Sequence, residues 1–268
     1  MKKIIIIMTL AMVFVLGACA KKDTSKTIRV ATAFYPMADL LELIREDLKA
    51  EGYTLVVTDF NNDYVAPNMG LMRNEFDANM IQHEHFMENF NANNNGDLKI
   101  VMPIYHATFA LYSKDYTKVE DIPNGSEITL PNDETNLGRA LHLLQDAGLI
   151  TLKEGVGPFA KLSDIESNPK NLVLDNQVPL NQLSNKYKES RLAVMYPTYA
   201  RNLELVGNAE RLYVEVLSER TESFAISLVT REGLLESEKI ELLKKYLSTE
   251  KVRNFLIENY AWASTPAM

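Results

Sequence analysis

Cysteine is almost missing from this chain, with one residue, Cys19, in 268. An intrachain disulfide is therefore excluded, and so is a zinc site built on thiolates. Histidine is nearly as scarce, at four residues. Zinc needs ligands that converge in space, so the run His83-Glu84-His85 predicts no metal site by itself, and no cofactor is expected. Positive charge is in deficit: 28 Lys and Arg face 36 Asp and Glu, for a formal net charge of −8. That balance argues against nucleic acid as a partner and against docking to anionic lipid through basic patches. No P-loop, dinucleotide fingerprint or Gly-x-Ser-x-Gly elbow is present, and no catalytic residue is expected. Repeats of fixed period and low-complexity tracts are also missing. The one long, mostly apolar run, residues 4–16, is shorter than the roughly 20 residues a spanning helix requires.

That run is also the start of what is present. Lys2 and Lys3 precede it and Gly17-Ala18-Cys19 follows it. A basic start, a short apolar core and small residues before a cut site predict a secretory signal peptide over residues 1–18. Leu16-Gly17-Ala18-Cys19 resembles the lipobox of bacterial lipoproteins. The resemblance implies that Cys19 is lipidated, becomes the first mature residue and ties the protein to a membrane outside the cytoplasm. One acyl chain holds only marginally, whereas a diacylglyceryl group anchors stably. Residues 19–26 then read as a short polar, lipidated tether. The removed segment carries two lysines and no acid, so the mature chain is more acidic still.

The remainder is 46% hydrophobic over the whole sequence, enough for a genuine core, and its length suits one large domain or two smaller ones. Apolar spacing predicts strands at 28–32, 53–60, 76–81, 98–102 and 107–112, with helices at 36–50, 68–74 and 83–90 between them. The second half continues with a strand at 127–131, a helix at 137–147 stopped by Gly148, strands at 171–174, 192–195 and 223–229, and helices at 180–187, 237–247 and 250–259. Such alternation predicts an α/β fold with mainly parallel sheets. The count fits two lobes, the first of residues 27–113 plus 224–268 and the second of residues 114–223, with a seam near 112–116, a return near 223 and a ligand cleft between the lobes.

Several segments, in order, look like the NlpA/MetQ family of methionine-binding lipoproteins: Asp63-Tyr64-Val65-Ala66-Pro67-Asn68, Asp77-Ala78-Asn79-Met80-Ile81-Gln82-His83, Leu111-Tyr112-Ser113-Lys114, Leu130-Pro131-Asn132-Asp133-Glu134-Thr135-Asn136-Leu137-Gly138-Arg139-Ala140-Leu141 and Asn168-Pro169-Lys170-Asn171-Leu172. The resemblance implies a two-lobed, periplasmic-binding-protein-like (type II) fold. It also implies a substrate-binding lipoprotein of an ABC importer that captures methionine (L or D) or a related amino acid and hands it to a membrane permease driven by a separate ATPase subunit.

Asn132, Thr135 and Asn136 fall at a helix N-terminus, where free N–H groups and the helix dipole favour an anion. Arg139, one turn further on, can add a bidentate fork. Spacing alone fits a plain capping sequence with a surface arginine equally well; the resemblance makes Arg139 a clamp for a ligand carboxylate. The resemblance likewise places His83 and Tyr64 in the ligand cleft, with Gln82 adjoining. The chain departs from the family at Met80 and Ile81, where two phenylalanines are usual; at Tyr196-Pro197-Thr198-Tyr199, where the family has an asparagine for the ligand's polar end; and at Ile226, in place of another asparagine. Tyr196, Thr198 and Tyr199 can supply replacement oxygens. The altered positions leave open a different amino acid, a methionine derivative or a short peptide as ligand. A hydrolase using His83 as base and a surface adhesin are the remaining classes.

Overall fold

The computed structural model describes residues 25–268; the expected signal peptide and Cys19 lie outside the described residues. Thirteen strands are formed among them: β1 (Thr27–Thr32), β2 (Thr54–Asp59), β3 (Ala78–Gln82), β4 (Leu98–Ala107), β5 (Ala110–Ser113), β6 (Glu127–Pro131), β7 (Thr151–Leu152), β8 (Ile165–Ser167), β9 (Val173–Val178), β10 (Leu192–Met195), β11 (Arg211–Val214), β12 (Ala225–Arg231) and β13 (Ser264–Pro266). One sheet has the order β13-β4-β12-β3-β1-β2 and the other β11-β5-β10-β6-β9. The sheets are mixed, not mainly parallel as expected: only β1 with β2 and β3, and β6 with β9 and β10, pair in parallel. The other pairings of these two sheets, β12 with β3 and β4, β13 with β4, and β5 with β10 and β11, are antiparallel.

Parallel strands are covered on both faces, so their sequences read as nearly continuous apolar runs. On β1, Ile28 and Val30 pack with Leu40, Leu41 and Leu48, while Ala31 faces Leu71, Met87 and Phe90 on the opposite side. Each fully buried side chain of this kind contributes about 1.5–3 kcal/mol. In the second lobe, Ile128 and Leu130 of β6 meet Leu137, Ala140, Leu141 and Leu144 of the helix Glu134–Asp146, the apolar face its spacing predicts. That helix begins earlier than predicted because Asp133 caps it, its side chain accepting from the Asn136 N–H. Gly148, at φ +72, ends it in the left-handed region.

Three further expectations change. The helix predicted over 36–50 is two, Met37–Leu43 and Arg45–Ala50, broken at Ile44 (φ −96, ψ 1) so that Ile44 and Leu48 both bury completely. The strand predicted to stop at 102 continues through Pro103 to Ala107, because Pro103 sits at a register shift against Ser227 where a missing N–H is tolerated. The stretch 110–113, placed in the first lobe by the sequence pattern, is β5 and pairs in the second sheet. Leu111 and Tyr112 are buried in second-lobe clusters, so the outward crossing lies at 108–109 rather than at 112–116. The return crossing lies between β11 and β12.

Gly138 shows how closely the second lobe is built. A Cβ there would stand 2.3 Å from the Pro158 carbonyl oxygen and 2.9 Å from the Ala160 nitrogen. Alanine would add about 1 kcal/mol of helix propensity, but backbone cannot yield as a flexible side chain does. Gly138→Ala is expected to destabilise the protein by about 2 kcal/mol net, read as a lower urea midpoint at unchanged m-value.

Candidate functional site

In α/β sheets, ligands favour the crevice outside the carboxyl ends of the parallel strands. Phe34 lies two residues beyond β1, His83 immediately beyond β3, Asp133 and Asn136 just beyond β6, and Tyr196 immediately beyond β10. The two sheets turn these ends toward each other, and a pocket enclosing about 470 Å³ of empty space, part of it open to solvent, lies between the lobes.

His83 caps the helix Glu84–Asn94, its Nδ1 accepting the Phe86 N–H at 3.2 Å. The proton is thereby assigned to Nε2, which donates to Asn136 Oδ1 at 3.3 Å across the cleft. Burial foremost, and the nearby Arg139 charge, push the His83 pKa down to about 3 despite the Asn136 hydrogen bond. The ring is neutral at physiological pH, and both its nitrogens face amide groups, which removes it as a general base. Asn136 is oriented from behind: its N–H and Nδ2 both donate to Asp133 Oδ1, leaving Oδ1 of Asn136 for His83 and for the Tyr196 hydroxyl, which donates at 2.6 Å.

Arg139 stands behind Tyr196, not in the cleft. Its Nη1 donates to the Tyr196 hydroxyl at 3.0 Å and its Nη2 to the Ala107 carbonyl at 3.3 Å. Nε donates to Glu215 Oε1 at 2.9 Å, and Nη2 makes a short contact to Oε2 of the same carboxylate. The two side chains are 1% and 6% exposed, and the Phe109, Phe224 and Tyr196 rings pack on the guanidinium. The arginine expected to meet a ligand carboxylate thus meets one from its own chain. Its spacing fitted a surface arginine too; burial excludes that.

The other expected residues, Tyr64, Ile81, His83, Asn136, Tyr196, Thr198 and Tyr199, all line the cleft, together with Gln82 and Ile226. Gln82 is tied up with Asn68 and Asn79. Tyr199 is 1% exposed and its hydroxyl has no partner in the described residues. Its ring meets Phe34 edge-on across the cleft, at 6.1 Å between centroids. Burial raises the pKa of Tyr64 and Tyr199 and holds Tyr196 at about 12, so all three phenols stay protonated. Phe34, Phe86, Tyr105 and Leu180 also line the site and were missed, although the position of Phe34 at a strand end is a usable signal. Glu215 was missed too; its only signal is an acid inside the apolar stretch Tyr213-Val214-Glu215-Val216-Leu217. His85 turns its Nε2 to Ser223 Oγ at 2.7 Å, and no three His, Cys, Asp or Glu side chains gather as metal ligands among the described residues.

Known proteins share this architecture. The chain is 34% identical to the membrane lipoprotein TpN32 of Treponema pallidum, over 91% of its own length and 88% of the relative's. It is 34% identical to the methionine-binding lipoprotein MetQ of Bacillus subtilis, over 94% and 93%. The crystal structure of a lipoprotein from Ruminococcus gnavus, 35% identical, superposes with a TM-score of 0.85, covering 90% of this chain and 99% of that one. The pattern of NlpA lipoproteins matches from residue 28 to residue 268, and the chain belongs to the NlpA lipoprotein family.

Proposed function

We propose that this protein is the substrate-binding lipoprotein of an ABC importer, tethered outside the cytoplasm through lipid on Cys19. It captures methionine, in the L or D form, or a related amino-acid ligand between its lobes and passes it to a membrane permease powered by a separate ATPase subunit. The observation that carries this reading is the cleft itself. First-lobe His83 and second-lobe Asn136 meet across it, and Ile81, Phe86, Phe34 and Leu180 give an apolar wall suited to a thioether. Relatives named for methionine binding support the choice of ligand class. Extracytoplasmic hydrolysis has little support, because among the described residues His83 has no hydroxyl nucleophile hydrogen-bonded to it.

The single tryptophan offers a direct test. Trp262, beside the first sheet, stacks on Tyr35 at 6.1 Å and lies under Arg211 of β11 in the second sheet, which also donates to its carbonyl. The contact joins the two sheets, so a ligand that shifts the lobes is expected to change the emission of Trp262. Titration with L- and D-methionine, methionine derivatives and dipeptides is expected to give a saturable fluorescence change and a raised melting temperature with at least one of them. Silence from the whole panel overturns the proposal.

Tyr199→Phe separates binding from folding. It removes a buried hydroxyl that the protein leaves unpaired, so the free protein should keep or gain stability while ligand affinity falls about tenfold. Urea denaturation and the fluorescence titration measure the two effects.

A further inference from the structure

We infer that Tyr196 is a specificity-determining residue of the cleft, because its hydroxyl holds the station between Arg139 and Asn136 that the charged head of an amino acid would take. This role rests on the small-ligand function proposed above and names the residue that controls its polar end.

A guanidinium carries five N–H donors. Those of Nε and Nη2 go to the Glu215 carboxylate and the Ala107 carbonyl. One is a buried counter-ion, 6% exposed, and the other is backbone, so neither is readily exchanged. Nη1 is different. One of its two N–H groups donates to the Tyr196 hydroxyl at 3.0 Å, and the other has no hydrogen-bond partner among the described residues. Nη1 is therefore the corner of Arg139 with room for a new acceptor. Tyr196 and Asn136 line the cleft and Arg139 does not, so the phenol covers that corner.

The Tyr196 hydroxyl works in both directions. It accepts from Arg139 Nη1 and donates to Asn136 Oδ1 at 2.6 Å. A zwitterion offers the same two functions with charge behind each: a carboxylate to accept from Nη1 and an ammonium to donate to Asn136 Oδ1. Hydrogen bonds with an ionised partner are roughly twice as strong as neutral ones, and the phenol stays neutral because burial holds its pKa at about 12. A zwitterion can thus take over the station, at the cost of the bonds Tyr196 already makes there. The backbone of Tyr196 gives little room to withdraw. It is extended, at φ −79 and ψ 157, and Pro197 keeps it so. The ring lies against Phe109, 4.6 Å between centroids. Exchange is left to the side chain, and the hydroxyl competes with every ligand that carries a free amino-acid head. Ligands held by an apolar side chain and neutral ends do not face that competition.

Tyr196→Phe removes the competitor and keeps the ring. Wild type and variant are titrated calorimetrically with L-methionine and with N-acetyl-L-methioninamide, which has the same side chain and no charge. The ratio of affinities is expected to move about tenfold toward L-methionine in the variant, with the capped compound nearly unchanged. Where the capped compound binds too weakly to measure, the affinity for L-methionine must itself rise by that factor. An unchanged or reduced preference for L-methionine overturns the inference and leaves the proposed function standing. Failure of both proteins to bind either compound overturns the methionine-type reading and the inference with it. Should the phenylalanine variant not fold, Tyr196→Asn, which installs the residue usual in the family, repeats the titration with the same outcomes.

Discussion

Glu215→Ala is expected to cost the folded protein about 3–5 kcal/mol, a large part of the stability of a typical domain. The magnitude follows from burial. Arg139 is 1% exposed, so removal of its partner leaves a full positive charge in the interior with only the Tyr196 hydroxyl and the Ala107 carbonyl to solvate it. The pair Lys49–Glu46 is 72% and 76% exposed, and breaking it should change stability by less than about 0.5 kcal/mol, since water and salt already screen it. Removing both buried charges, as in Arg139→Met with Glu215→Leu, should restore most of the loss, because desolvating the two ions costs roughly what their attraction returns. Urea denaturation of the single and double variants forms a cycle that checks this; additive losses would show that the two side chains do not act as a pair.

Stability should also fall steeply as the pH drops from about 6.5 toward 3, and His83→Gln should remove much of that fall. His83 titrates at about 3 in the folded protein, whereas an unfolded histidine titrates near 6.5. Between those values the unfolded chain binds more protons than the folded one, so acid favours unfolding; above about 6.5 both states are neutral and the effect vanishes. By pH 4 the linked loss is about 3 kcal/mol. The proton has no good place in the fold: Nδ1 already accepts the Phe86 N–H, and an imidazolium would lie buried near Arg139. Paired measurements of unfolding free energy at pH 7 and pH 4 give the test. Carboxylates titrate in the same window in both proteins, so the difference between wild type and variant isolates the histidine. Equal losses in the two would refute the assignment.

Much of the site was legible because it depends on local order along the chain. Tyr196 directly follows the run Leu192-Ala193-Val194-Met195, and His83 directly follows β3. Any α/β chain that buries those runs as parallel strands delivers the next residues to the same crevice. The N-terminus of the helix Glu134–Asp146 was legible to within three residues, as Thr135 and Asn136 mark it, but the Asp133 cap that starts it was seen only in the structure. Strand ends were less legible. Pro103 reads as a stop until its bulge opposite Ser227 is seen, and 110–113 reads as part of the first lobe until its partners in the second sheet are known. Pairing register is a property of two segments and cannot be read from one.

By itself, the sequence determined the strand–helix alternation, the capped helix that carries Asn136 and Arg139, and the residues that follow each strand end, because these depend on periodicity and on hydrogen bonds between near neighbours. Tertiary structure alone decided what Arg139 faces. Its partner Glu215 lies 76 residues away, on the segment returning between the lobes. Whether an arginine meets water, a ligand or a carboxylate of its own chain depends on which distant groups share its burial, and here the fold placed Glu215 beside it.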